Sequence, residues 1–230
     1  MIISIQQPEY FPWIGYFDKI SQVDKVILLD NVQFKKRYFE NRNKVRTPQG
    51  WCWIRTPVLV KGRFTQRICD VCIDSTSDWQ RNIVQTLRHN YGKAPHWRDY
   101  GEALCSMITD FRGERLVDFN HAVISFLLVA FGLNKVLLRT SELGTTKSSS
   151  ELIMEICKIV GADAYLSGRD GRNYLDENAF QAAGIKIKYQ EFVHPSYSQC
   201  QSGDFVPGLS AVDLLFNIGQ AGSELFTQQT

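Results

Sequence analysis

Gln6-Gln7-Pro8-Glu9-Tyr10-Phe11-Pro12-Trp13-Ile14-Gly15-Tyr16 brings two adjacent carboxamides and four aromatic rings into eleven residues. A carboxamide presents both a donor and an acceptor to the edge of a base or sugar, and an aromatic ring offers it a stacking surface. Gln6, Gln7, Tyr10, Trp13 and Tyr16 are therefore candidate ligand-binding residues, read as the floor of a site. The competing structural reading is that Tyr10, Phe11, Trp13 and Phe17 pack a helix on a sheet.

Four further groups carry comparable chemistry. Asp30 closes an apolar run, and Gln33, Arg37, Asn41, Arg42 and Asn43 follow it. The arginines could hold phosphate or carboxylate oxygens through their planar forks, while Asn41-Arg42-Asn43 could equally be a turn. Thr145-Thr146-Lys147-Ser148-Ser149-Ser150 opens a helix. Lys147 and Ser148 would bind an anion there, although serine is also the common N-cap. Ser167-Gly168-Arg169-Asp170-Gly171-Arg172-Asn173-Tyr174 follows another apolar run, where glycines permit close backbone approach; Ser167, Gly168 and Tyr174 are candidates. His194, Tyr197 and Gln199 lie in the last long loop. His194 is the candidate general base, since imidazole titrates near neutral pH, with Asp30 as the other catalytic candidate.

Positioning these residues requires an α/β frame. The run Ile2-Ile3-Ser4-Ile5 reads as a buried strand, a helix starts near Trp13, and Val26-Ile27-Leu28-Leu29 reads as a second strand. The same rhythm returns after Gly132: strands at Val136-Leu137-Leu138, Ala164-Tyr165-Leu166 and Ile185-Lys186-Ile187-Lys188-Tyr189, with helices over 148–160 and 173–182. The pattern predicts a single domain over residues 1–230, a three-layer Rossmann-like, mainly parallel sheet with helices on both faces. An insertion over residues 45–132 supplies a β-hairpin and three helices. The hairpin pairs 51–58 with 67–73 across Val60-Lys61-Gly62-Arg63, and Ser77-Asp78-Trp79-Gln80 forms a capping box for the first helix. A last helix starts at Ser210, and residues 227–230 fray. In this frame the segments around positions 6, 30, 147, 167 and 194 converge on one rim of the sheet, the carboxyl ends where open α/β sheets bind ligands.

Composition narrows the partners. With 26 Lys and Arg against 24 Asp and Glu the net charge is +2, too small a field to recruit nucleic acid or an anionic membrane. No apolar run approaches the roughly 20 residues that span a bilayer, and no secretory leader pattern is visible, so the expected compartment is the cytoplasm. Cys69 and Cys72 lie in an alternating run that predicts a strand with the two thiols on opposite faces, which opposes a shared metal. Six scattered cysteines and four unpaired histidines give no ligand spacing. The GxxxxGK[ST] and GxSxG frames are absent. Neither a metal nor a cofactor is expected.

Six blocks of this chain resemble the WbqC-like family. They are residues 6–20, Asp30-Asn31-Val32-Gln33-Phe34, Asn41-Arg42-Asn43, Tyr165-Leu166-Ser167-Gly168, Tyr197-Ser198-Gln199 and residues 209–217, and together they reach from one terminus almost to the other. The family is associated with bacterial O-antigen clusters, including those whose sugars carry an amino acid on a ring nitrogen. The resemblance implies acyl or aminoacyl transfer, glycyl included, to a nucleotide-linked amino sugar, with a carrier protein as a candidate donor. A weaker likeness joins Trp13-Ile14-Gly15-Tyr16 to the HxGH region of nucleotidylyltransferase-type Rossmann folds, but both histidine positions are aromatic here. Nucleotidyl transfer and a non-catalytic sugar-nucleotide binding role are the alternative readings.

Overall fold

Ile2-Ile3-Ser4-Ile5-Gln6 forms strand β1 (Ile2–Gln6), buried from Ile3 onward, as a central parallel strand must be when both faces are covered. The computed structural model describes residues 1–227. After β1 come helix α1 (Ile14–Ser21) and strand β2 (Lys25–Leu28), then β3 (Arg42–Thr47), β4 (Gly50–Arg55), α2 (Trp79–Tyr91), α3 (Glu102–Asp110) and α4 (Leu116–Ala130). The remainder is β5 (Val136–Arg139), α5 (Ser149–Val160), β6 (Ala164–Ser167), α6 (Glu177–Ala182), β7 (Lys186–Tyr189), α7 (Ala211–Ile218) and α8 (Glu224–Thr227). Of the fraying expected over residues 227–230, Thr227 is the last residue of α8, and residues 228–230 lie outside the described residues.

Five strands make one parallel sheet in the order β5-β2-β1-β6-β7. Strand order reverses between β1 and β6, and there connections leave to opposite faces and open a crevice. Val26, Leu28 and Leu166 pack on one face with α1, α4 and α7. Ile3, Ile5, Ile27 and Tyr165 pack on the other with α5 and α6. The fold is thus the three-layer, Rossmann-like arrangement that the strand and helix rhythm predicts.

The hairpin is not where the sequence pattern places it. β3 pairs antiparallel with β4, from Arg42 opposite Arg55 to Thr47 opposite Gly50, so the first hairpin strand begins before position 45. Gly50 takes φ +127° at the turn, a conformation suited to glycine. The run 67–73 forms only a 3₁₀ turn, Ile68–Asp70, and isolated bridges to Gln33, Val58 and Arg115. Alternation along residues 67–73 therefore reports no strand, and the opposite-face argument for Cys69 and Cys72 lapses. The capping box also fails. The α2 N-cap is Asp78, without a side-chain cap bond, because Gln80 Nε2 instead donates to the carbonyls of Ile108, Thr109 and Phe111 at the end of α3.

Asp30 is fully buried where β2 ends beside β5. Its carboxylate accepts from Thr140 Oγ1 (2.9 Å), Ser141 N (2.8 Å) and Ser141 Oγ (2.7 Å). Every oxygen is engaged in tying the two strand ends together, so the residue braces the sheet and is not presented to a ligand. Asp30→Ala removes the carboxylate shared by these three donors and is expected to lower the unfolding free energy by about 2–4 kcal/mol in urea titration.

Candidate functional site

Beyond the carboxyl ends of β1 and β6 lies a cleft of about 580 Å³, within the usual range for small-molecule sites. The turn over residues 8–12 forms one wall. Asn120 Nδ2 donates to the Pro8 carbonyl and Asn43 Nδ2 to the Phe11 carbonyl, each at 2.8 Å. Phe11 adopts φ +45°, a strained conformation for a bulky side chain. Gly171 closes the β6 side, where a Cβ would come within 2.0 Å of Ser167 Oγ. The 3₁₀ turn Arg169–Asn173 can approach β6 only with glycine there. Gly15 plays a similar part for Trp13, whose indole would lie 2.4 Å from an added Cβ.

Gln6, Gln7, Trp13, Tyr16, Gly168 and Tyr174 of the sequence-derived set line this cleft. Gln6 is 7% exposed, and neither atom of its carboxamide has a well-formed hydrogen bond, although the Tyr16 hydroxyl is its neighbour. Tyr16 Oη donates to the Gln7 carbonyl at 3.2 Å. Ser167 is buried at the end of β6 with an unpartnered Oγ. Tyr10 departs from the expected set. It is fully buried among Phe11 and Phe119, with its hydroxyl accepting from Thr56 Oγ1, and it packs the core.

Two ionisable groups that sequence reasoning passed over share the cleft: Glu9 and Lys19. Burial pushes the Glu9 carboxyl up to about 7, against the lowering effect of Lys19 and with a further raising effect of Glu40. Burial lowers the Lys19 ammonium to about 8, opposed by Glu9. Lys19 follows Tyr16 by three positions on α1, hence on the same helix face. Glu9 is a charge flanked by two prolines in an otherwise apolar and amide-rich turn, which was the available signal. Paired acids and bases with pKa values drawn towards neutrality are what a proton-transfer site needs.

The remaining candidates are placed elsewhere. Arg37, Asn41 and Arg42 line a different cleft, between the β3–β4 hairpin and α2. Asn43 is a buried brace, as above. Gln33 is exposed and donates to the Phe64 carbonyl. Lys147 and Ser148 lie at the start of α5, but Glu155 already caps the Thr146 and Lys147 amides at 3.0 and 3.1 Å, and neither residue lines the cleft at the β1/β6 switch point. Tyr197 Oη and Gln199 Nε2 each donate to Asp213 at 2.8 Å and tie the last loop to α7.

His194 has both ring nitrogens occupied. Nε2 accepts from the Gly208 amide at 3.0 Å, and Nδ1 lies 2.8 Å from the Pro195 carbonyl. Accepting at Nε2 fixes the neutral tautomer with the proton on Nδ1, and burial lowers its pKa. The ring stacks on Trp13, with centroids 6.3 Å apart, so it supports a cleft wall and has no free lone pair for a substrate proton. Of the five segments expected on one rim, those around 6 and 167 meet. The chain before 194 reaches the cleft through Gln190 and Phe192, position 30 only through its neighbour Leu29, and position 147 not at all.

Fold and site together define a Rossmann-like α/β protein with a polar, ligand-sized cleft at its topological switch point. The chain belongs to the WbqC-like protein family, whose model matches residues 7–224. It is also 34% identical over 218 residues to the uncharacterized protein Rv1507c of Mycobacterium tuberculosis, covering 94% of each chain. No solved structure matches it. Among the described residues no helix is long and apolar enough to cross a membrane.

Glu9 makes the cleft's electrostatic cost measurable. Its folded pKa is raised, so the protonated carboxyl is neutral to folding below about pH 4.5, and stability is lost as pH rises through about 7. Glu9→Gln removes that loss. Its melting temperature is expected to exceed that of the parent by ~2–6 °C at pH 8 and to equal it at pH 4, read by differential scanning fluorimetry.

Proposed function

We propose that this protein transfers an acyl or aminoacyl group, with glycyl the first case to try, to the amino group of a nucleotide-linked amino sugar during assembly of a bacterial surface polysaccharide. The observation that carries the reading is Glu9, with its carboxyl near 7, beside Lys19, near 8, in the switch-point cleft. An amino sugar arrives mostly as its ammonium form and cannot attack a carbonyl until it gives up a proton. A carboxylate poised near neutrality is suited to take it. Gln6 and Gln7 offer unpaired amide groups to sugar hydroxyls, and Trp13 and Tyr174 offer ring faces to the sugar or base.

In this reading Glu9 accepts the proton from the sugar ammonium. The freed amine attacks the carbonyl carbon of a thioester, a carrier-protein thioester being the first choice of donor and an acyl-CoA the second. The C–S bond breaks as the C–N bond forms, the proton held on Glu9 passes to the leaving thiolate, and Glu9, ionised again, takes the second proton from the new amide nitrogen and releases it to water. Lys19 supplies positive charge for the oxyanion that develops on the carbonyl. The family membership supports a surface-polysaccharide setting.

The test is a product-mass assay with a panel of amino-sugar nucleotides and loaded donors. The expected result is a mass gain of one acyl or aminoacyl unit. With the active pair, Glu9→Gln lowers kcat by roughly 10²–10⁴-fold. Because Glu9 works ionised and Lys19 works protonated, kcat/KM rises with pH through about 7 and falls above about 8. No mass gain across the panel, with ligand-dependent thermal stabilisation, makes the protein a binding module instead. Release of pyrophosphate from a nucleoside triphosphate makes it a nucleotidyltransferase.

A further inference from the structure

The arginines expected beside the glutamines build a second cleft of their own. It measures about 810 Å³ and lies between the outer face of the β3–β4 hairpin and α2. Lys36, Arg37, Arg42 and Arg55 line it, and no carboxylate does. Among the described residues none of the four forms a salt bridge. Arg42 leaves its Nε buried without a partner while its Nη2 donates to the Arg37 carbonyl. Four cations held together without counter-charge repel one another. Nothing in the fold requires Lys36, Arg37 or Arg55, which are exposed.

The hairpin adds a second chemistry. Period-two alternation puts Arg42 and Lys44 of β3 and Trp51, Trp53 and Arg55 of β4 on one face, while Val45 and Ile54 turn into the core. Trp53 is 37% exposed and Trp51 45%. The Arg42 guanidinium lies over the Trp53 ring at 4.2 Å and the Lys44 ammonium over Trp51 at 4.3 Å. A flat aromatic ring flanked by planar cations that have no carboxylate partner is suited to a base and its phosphates, since arginine grips phosphate through two parallel bonds. The cleft's volume lies within the ~300–1,000 Å³ of small-ligand sites and fits one nucleotide.

From this we infer a second ligand site, in which the phosphates of a nucleotide lie against Arg37, Arg42 and Arg55 and its base stacks on Trp53. The chemistry is shared by two sources: the nucleotide end of a coenzyme A-type donor and the nucleoside diphosphate of a sugar nucleotide. Residues 35–38 lie between the two sites, because Lys35 and Tyr38 line the switch-point cleft while Lys36 and Arg37 line this one. The inference rests on the cleft's own charge and rings and stands whether or not acyl transfer occurs.

The experiment is calorimetric titration of the full chain with inorganic pyrophosphate, ADP, UDP and coenzyme A. At least one nucleotide is expected to bind, more weakly as salt is added. The double variant Arg37→Glu/Arg55→Glu is expected to raise Kd by about tenfold or more. Arg55→Gln alone, a single exposed change, carries the same test if the double reversal does not fold. Trp53→Ala weakens the nucleotides but leaves pyrophosphate unchanged, since pyrophosphate has no base to stack. Tighter binding of coenzyme A marks a donor site and tighter binding of UDP the nucleotide end of the acceptor, and each supports the site. The proposal is overturned if no nucleotide binds at millimolar concentration, if the charge variants bind like the parent, or if an oligothymidylate binds far more tightly than any mononucleotide.

Discussion

Two buried carboxamides hold the turn over residues 8–12, and the switch-point cleft depends on them. Asn43 comes from β3 and Asn120 from α4, both supplied by the long excursion between β2 and β5. Asn120 Nδ2 also reaches the Glu40 carbonyl at 2.8 Å, and the Tyr10 amide bonds to the Phe39 carbonyl. Left to itself, a phenylalanine before proline would not remain in left-handed backbone. The clamp, together with the packing of the Phe11 ring against Tyr10 and Phe119, holds it there. With Pro8 and Phe11 both fixed, Glu9 is carried into the cleft with little freedom to turn away. The excursion is therefore part of how the site is made.

How much of this could be read in the residues follows from how local each cause is. The sheet strands are short β-branched runs whose burial is dictated by their own sequence, and their positions follow to within a residue or so. The hairpin was misplaced because β3 alternates Arg42, Lys44 and Arg46 with Asn43 and Val45, so a charged run hides a half-buried strand. Asn43 looks like a turn residue until its partner, the Phe11 carbonyl, is known. The Gln80 cap was lost to carbonyls nearly thirty positions away. That Gln6 and Gln7 line a cleft is legible because paired amides at a strand end have no evident core role. Glu9 was not, because its unusual proton affinity comes from distant chain that covers it.

The two clefts divide the electrostatics of this face. One holds Glu9, its carboxyl raised to about 7, and Lys19, its ammonium lowered to about 8, together with Lys35, Arg169 and Asp170. The other is lined by Lys36, Arg37, Arg42 and Arg55 and by no carboxylate. A reacting amine is served by the first environment and a phosphate by the second. Putting both functions in one cavity would let the phosphate cations pull the carboxyl back down. The ridge of residues 35–38 keeps the cations of the second cleft apart from Glu9 in the first.

Hydrogen bonding sets several residues that look catalytic by type apart from those that line the cleft. Asp30 accepts bonds at both oxygens, Asp213 accepts from Tyr91, Tyr197 and Gln199, and His194 is engaged at both nitrogens. Each looks catalytic by type and is fully occupied by the fold. Gln6, Ser167 and Glu9 are covered by the chain, yet keep polar atoms without partners at the same strand ends. An unmade bond of this kind costs about 1–3 kcal/mol, and Gln6 and Glu9 line one cavity. Gln6 and Glu9 thus hold unpartnered polar atoms in the cleft, where a ligand would complete them. Donors and acceptors held in place before a ligand arrives need no reorganisation when it binds.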